Sequence, residues 1–152
     1  MFYKATLHLH NLTWWIILLT GLWTICRVWR GHLGRLAWTR RERLAGLVFS
    51  SALATQFLIG LALYFQSPVV RPLIAGGAVE PERLAATFFG LIHPLTMLTA
   101  VVLGQVGFSL SKRSNGDERK YRIAVICYTA ALVVLLLAVP WPWLRYGRSL
   151  LP

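Results

Sequence analysis

The chain has 152 residues, about the size of one domain. Hydrophobic residues make up 57% of it and charged residues only 14%, against roughly 25% charged in a typical soluble domain, so polar material is too scarce to cover a soluble fold of this size. Sixteen Lys+Arg stand against five Asp+Glu, a formal charge of +11; in so apolar a chain that excess points to basic loops at a membrane surface rather than to nucleic acid.

Four apolar runs follow in chain order. No Asp, Glu, Lys or Arg occurs from Ala5 to Cys26, from Leu44 to Val70, from Leu84 to Ser111, or from Ile123 to Leu144. Each run exceeds the ~20 residues that a helix needs to cross a hydrocarbon core, and backbone groups in lipid must be paired internally. The expected architecture is all-α and integral to a membrane. It is an up-down-up-down bundle of four transmembrane helices in a single domain over 1–152, with spans at about 7–27, 45–66, 88–110 and 122–141. Lys4 before the first run has the look of a secretory signal. The run is too long for one, however, and ends in Thr24-Ile25-Cys26-Arg27 without a small-residue cleavage pattern.

The cations orient the bundle. Arg27, Arg30, Arg35, Arg40, Arg41 and Arg43 follow the first span, and Lys112, Arg113, Arg119, Lys120 and Arg122 follow the third. Lys4, Arg71, Arg83, Arg145 and Arg148 fall on the opposite side. The cation-rich side is expected to be cytoplasmic, leaving both termini and the loop from about Ser67 to Pro81 outside. Trp141 and Trp143 at one boundary, and Trp23 and Trp29 at the other, suit the headgroup level. The expected location is the inner membrane of a bacterium.

Several kinds of chemistry are missing. Cys26 and Cys127 form no C-x-x-C or C-x-x-C-H, and read as small apolar fillers. No phosphate-cradling glycine loop, nucleophile elbow or zinc helix motif occurs. The apolar runs hold no carboxylate, so no buried carboxylate is expected, which argues against a proton-driven pump or cation transporter. Gln56 and Gln105 could line a polar path, but interhelical amide bonds account for them equally.

Histidine remains. His32 sits in the basic loop and reads as a loop or headgroup contact. His10 and His93 each lie six or seven residues outward of the midpoints of the first and third spans, roughly 10 Å from the bilayer centre at 1.5 Å per residue. Those spans are diagonal partners in an up-down-up-down bundle, about 12–14 Å apart when neighbouring axes are ~8–10 Å apart. Imidazoles across that gap are not expected to touch, but could ligate one iron between them, as in a six-coordinate b-type haem. From His93, helical spacing gives Gly90, Met97, Ala100, Gly104 and Gly107, a groove of mostly small residues. Such stripes also serve plain helix packing. His8 and His10 point about 200° apart, so only one faces the core. His10 continues through Trp14, Ile17, Gly21 and Thr24, and is preferred over His8, which continues through Leu12, Trp15 and Leu19. Pro81-Glu82-Arg83 resembles a helix start. Pro94 should then kink that helix and leave the Gly90 carbonyl without its usual donor.

Certain stretches of the chain carry a resemblance: His8-x-His10 opening the first span, Gln56-Phe57-Leu58-Ile59-Gly60-Leu61-x-Leu63-Tyr64-Phe65-x-Ser67-Pro68 ending the second, His93-Pro94-Leu95-x-Met97-Leu98 in the third, and Pro140-Trp141-Pro142 closing the fourth. In nearly its whole length the chain resembles a family of small four-span bacterial membrane proteins, notable in the Bacteroidetes and labelled cytochrome b-like. Some relatives carry a further histidine before the glutamine of the second span, where this chain has Thr55. The resemblance implies a haem protein.

The expectation is therefore a membrane electron-transfer subunit holding one haem b near the outer leaflet. His10 and His93 are the iron ligands, with His8, Gly90, Met97 and Gly104 around them. Arg71, Arg83 and Arg145 lie on the side where propionates would emerge. His32 alone at the other end cannot build a second bis-histidine site. The partners expected are the lipid bilayer, a quinone and other membrane or periplasmic redox subunits, with no nucleic acid. The protein would then serve an oxidoreductase without itself being its catalytic subunit. The alternative is a cofactor-free accessory subunit of a larger membrane complex.

Overall fold

The structure is a computed structural model that describes residues 2–77 and 82–149. The described residues are helical and form a four-helix bundle. Its long members are α1 (Phe2–Leu33), α2 (Arg40–Gln66), α4 (Glu82–Arg113) and α5 (Asp117–Leu137), each long and apolar enough to cross a membrane. A short α3 (Arg71–Ile74) lies in the connection between α2 and α4. The chain is a multi-pass membrane protein. Its helices pack in a ring, α1 on α2, α2 on α4, α4 on α5 and α5 on α1, so that α1 and α4 stand across a diagonal. One end of the bundle carries both termini and α3; the other carries the two Arg-rich connections.

Most helices outrun their expected spans. At about 48 Å, the 32 residues of α1 are longer than the ~30 Å hydrocarbon thickness. The Pro81 part of the expected helix start lies outside the described residues, and α4 is helical from Glu82. At the other extreme, α5 stops at Leu137 rather than reaching 141, because Pro140 has no N–H to offer the carbonyl of Leu136. The start of α2 is fixed by a capping box. The Thr39 N–H donates to Glu42 Oε2 at 3.0 Å, and the Arg41 N–H donates to the Thr39 hydroxyl at 3.2 Å.

That box corrects the expectation that no carboxylate is buried. Glu42 is buried and forms an ion pair with Arg27 of α1. It precedes the apolar run, so the absence of acids within the run did not reveal it. The ring of hydrogen bonds around it satisfies the charge at the boundary of the bundle rather than in its middle.

The two halves of the bundle are filled differently. Toward the Arg-rich end, Tyr121, Tyr128 and Phe49 are fully buried, and the Phe49 and Tyr128 rings meet edge-on at 5.9 Å across the α2–α5 diagonal. Glycines make room for them. A Cβ at Gly46 would collide with the Tyr128 hydroxyl, and one at Gly21 would lie 2.8 Å from Phe49 Cε2. Toward the terminal end the filling stops, and a cavity of about 410 Å³ opens between the helices.

Candidate functional site

His10 and His93 face each other in the cavity wall. From α1, the face that carries His10 turns Trp14, Ile17, Gly21 and Thr24 inward, all of them buried, while Leu12, Trp15 and Leu19 on the His8 face are exposed. From α4, His93 heads a face whose Ala100, Gly104 and Gly107 are buried. The two imidazoles meet across the diagonal with ring centroids 6.4 Å apart and planes at 69°. They come closer than the expected gap, because each side chain projects several Å inward from a Cα cylinder already ~2.3 Å in radius. His10 and His93, expected from helical rise to lie at one level, stand at one level of the bundle with their rings together.

Each ring is held differently. Nδ1 of His93 donates to the main-chain carbonyl of Ala138, at the end of α5, over 2.8 Å. Nδ1 of His10 is buried without a hydrogen-bond partner. It lies beside Gly60 of α2, where an added Cβ would come within 3.1 Å of His10 Cε1. Gly60 thus cradles the ring. The backbone under His10 is tied to α2 as well: Gln56 Nε2 donates to the His10 carbonyl at 2.8 Å, and the Thr13 hydroxyl donates to Gln56 Oε1. The second span contributes packing and interhelical bonds, as expected of Gln56. Gln105 likewise reaches α2, donating to the Ser50 carbonyl at 3.2 Å.

The helix carrying His93 departs from α geometry just before it. Phe88–Ile92 form a π turn, and the His93 N–H reaches back to the Phe88 carbonyl. Single π turns are frequent where function demands that a side chain be re-aimed. The Gly90 carbonyl, which loses its donor to Pro94, is met by the Tyr64 hydroxyl of α2 at 3.2 Å. Sequence identified the orphan but not the residue that satisfies it, because that residue lies twenty-six positions away on another helix.

Of the other residues expected at the site, His8 and Met97 line the cavity, His8 from an exposed position on its rim. Gly90 and Gly104 serve packing: their missing Cβ atoms leave room for Leu73 Cδ2 and Leu53 Cδ1 respectively. Arg71, Arg83 and Arg145 are exposed and outside the lining. The arginine at the cavity is Arg148, whose guanidinium lies 4.5 Å over the Phe89 ring and whose N–H donates to the Pro140 carbonyl at 3.0 Å. The fold of residues 138–149 back over the bundle end delivers it there. Tyr146 stacks on Phe88 at 4.0 Å within the same cover. Nothing in the spacing of the cations distinguishes Arg148 from its neighbours; the signal is a turn geometry.

Among the described residues, no three His, Cys, Asp or Glu side chains gather as a metal centre. A metal here would have two protein ligands and would need its remaining positions filled by something else. The walls are mainly apolar, with Phe57, Leu61, Leu63, Val101 and Val139 among them, and the volume is that of an ordinary small-molecule site. No protein-family model, curated protein or solved structure matches this chain.

Proposed function

We propose that this protein is a membrane electron-transfer subunit that holds one b-type haem between His10 and His93. The observation that carries the reading is the spacing of the imidazoles. Two imidazoles that would each bond one metal at ~2.0 Å must face each other at close range. The pair here stands at 6.4 Å. His10 and His93 would hold the iron, and the mainly apolar cavity around the pair would house the macrocycle. Bonding through Nδ1 leaves Nε2 of His93 available, the arrangement expected of a ligating histidine.

The chain's own groups divide the remaining tasks. Met97 offers a soft, polarisable wall, Gly60 gives the His10 ring its space, and the Arg148 guanidinium provides the fork that suits a carboxylate. The cofactor, when bound, supplies one-electron chemistry. The terminal end lies outside, the Arg-rich end is cytoplasmic, and the membrane is the inner membrane of a bacterium, in keeping with the excess of cations on that side. In this reading the chain would serve electron transfer between a quinone or partner subunit in the membrane and a carrier outside. The resemblance to four-span proteins labelled cytochrome b-like points the same way.

Purification from haem-replete cells tests the reading. A red protein with an α-band in the reduced-minus-oxidised spectrum is the expected result. A colourless protein of intact fold would overturn it in favour of a cofactor-free accessory subunit.

A further inference from the structure

Three prolines at the terminal end of the bundle each deprive a carbonyl four residues earlier of its helical N–H. Pro94 denies Gly90 its donor; Pro140 denies Leu136 its α-type donor, although that carbonyl still accepts the Val139 N–H at 3.4 Å; and past the end of α5, Pro142 has no N–H to offer Ala138. Each carbonyl is met by a side chain: Gly90 by the Tyr64 hydroxyl at 3.2 Å, Leu136 by Trp141 Nε1 at 3.1 Å, and Ala138 by His93 Nδ1 at 2.8 Å. The first two bonds satisfy backbone. The third also determines the state of a ring in the cavity.

A carbonyl oxygen can only accept, so His93 Nδ1 carries the proton of the neutral imidazole and Nε2 keeps its lone pair. We infer that the Pro140-Trp141-Pro142 segment is a positioning device for His93: it ends α5 so that the Ala138 carbonyl stays unclaimed, and that carbonyl fixes the ring in the Nδ1–H tautomer. The backbone around it agrees. The Ala138 N–H is already spent on the Val134 and Leu135 carbonyls, and the Trp141 N–H turns to Val139 at 2.9 Å instead of continuing the helix. His93 lies on α4 and its anchor lies at the end of α5, so the junction of these two helices sets the ring's orientation. His10 has no counterpart of this bond, since its Nδ1 is without a partner. The two imidazoles are therefore inequivalent: His93 is held by a hydrogen bond at Nδ1, and His10 is held by packing against Gly60. The tautomer stands on geometry alone; its consequence for iron ligation rests on the haem reading above.

The test is ¹⁵N NMR of histidine-labelled full-length protein in lipid nanodiscs without haem, with the His93 signals assigned by their loss in His93→Gln. The wild type is expected to show His93 in the Nδ1–H tautomer alone. In Pro140→Ala/Pro142→Ala, α5 can continue and its N–H groups compete for the carbonyls, so both tautomers should be populated. Loss of an outer-sphere hydrogen bond of this kind lowers metal affinity about 10–100-fold, and haem titration of the double variant should show a loss of that order. A wild-type His93 in the Nε2–H form or in a mixture overturns the inference, even if the double variant does not insert. A pure Nδ1–H signal surviving in a folded double variant overturns it too. If the tautomers behave as expected but the wild type takes up no haem, the haem reading falls and the positioning device stands.

Discussion

His8 and His10 are two residues apart on one helix, yet only one of them can meet a partner across the bundle. Their orientations differ by about 200°, and the contrast is plain in their faces: Trp14 and Ile17 below His10 are buried, whereas Leu12 and Leu19 along the His8 face are 54% and 66% exposed. Replacing His10 or His93 with alanine should abolish the low-spin haem spectrum, while His8→Ala should leave it largely unchanged; unaltered spectra in all three variants would remove the two-histidine site. Gln56 gives a contrasting case. It bridges Thr13 and the His10 carbonyl, but the Thr13 hydroxyl has fallback acceptors in the Leu9 and His10 carbonyls at 2.9 and 3.2 Å. Interhelical bonds of this sort average ~0.6 kcal/mol. Gln56→Leu should therefore cost less than about 1 kcal/mol in an unfolding titration and keep its haem band, whereas loss of membrane insertion would show that the amide is essential to the fold.

At the scale of elements, the four helices and the inward faces of α1 and α4 could be read from the sequence because hydropathy and helical spacing are local properties. The depth match of His10 and His93 was legible for the same reason, since rise per residue is fixed. What escaped were the contacts that depend on how helices meet. Glu42 is buried by its position against Arg27 of α1, Arg148 reaches the cavity through the turn after α5, and the π turn at Phe88–Ile92 has no signature beyond Pro94. The donor that relieves that turn offers a test. Tyr64→Phe removes the one side-chain hydrogen bond found at the Gly90 carbonyl, and an unpaired buried acceptor costs about 1–3 kcal/mol. The variant should lose stability within that range, measured by denaturant titration in micelles, and should alter the haem band through His93, three residues along the same helix. An unchanged midpoint would mean that the carbonyl finds another donor.

Across the whole molecule, this chain closes one end of its bundle and opens the other. Phe49, Tyr121 and Tyr128 fill the Arg-rich half against glycines, so the cavity at the terminal half reflects residue choice rather than a general inability to pack. Gly46→Ala should push against the Tyr128 hydroxyl and destabilise the bundle by about 1–3 kcal/mol, as overpacking does. Adding Tyr128→Phe should recover part of that loss, because it removes the nearest of the atoms in conflict. The same polarity of the bundle bears on its orientation. Eleven of the sixteen cations belong to the two connections at the closed end, and only Arg27 and Lys120 among them are engaged in the ion pairs found in the described residues. Loop cations resist translocation, so the closed end should face the cytoplasm and the cavity should open outward. Gly77 and Asn115 are exposed at opposite ends. In a background where Cys26 and Cys127 are serine, cysteine introduced at Gly77 should react with an impermeant maleimide added to intact spheroplasts, and cysteine at Asn115 should react only after lysis. Labelling of Asn115 alone from outside would invert the protein and place the histidine pair toward the cytoplasm.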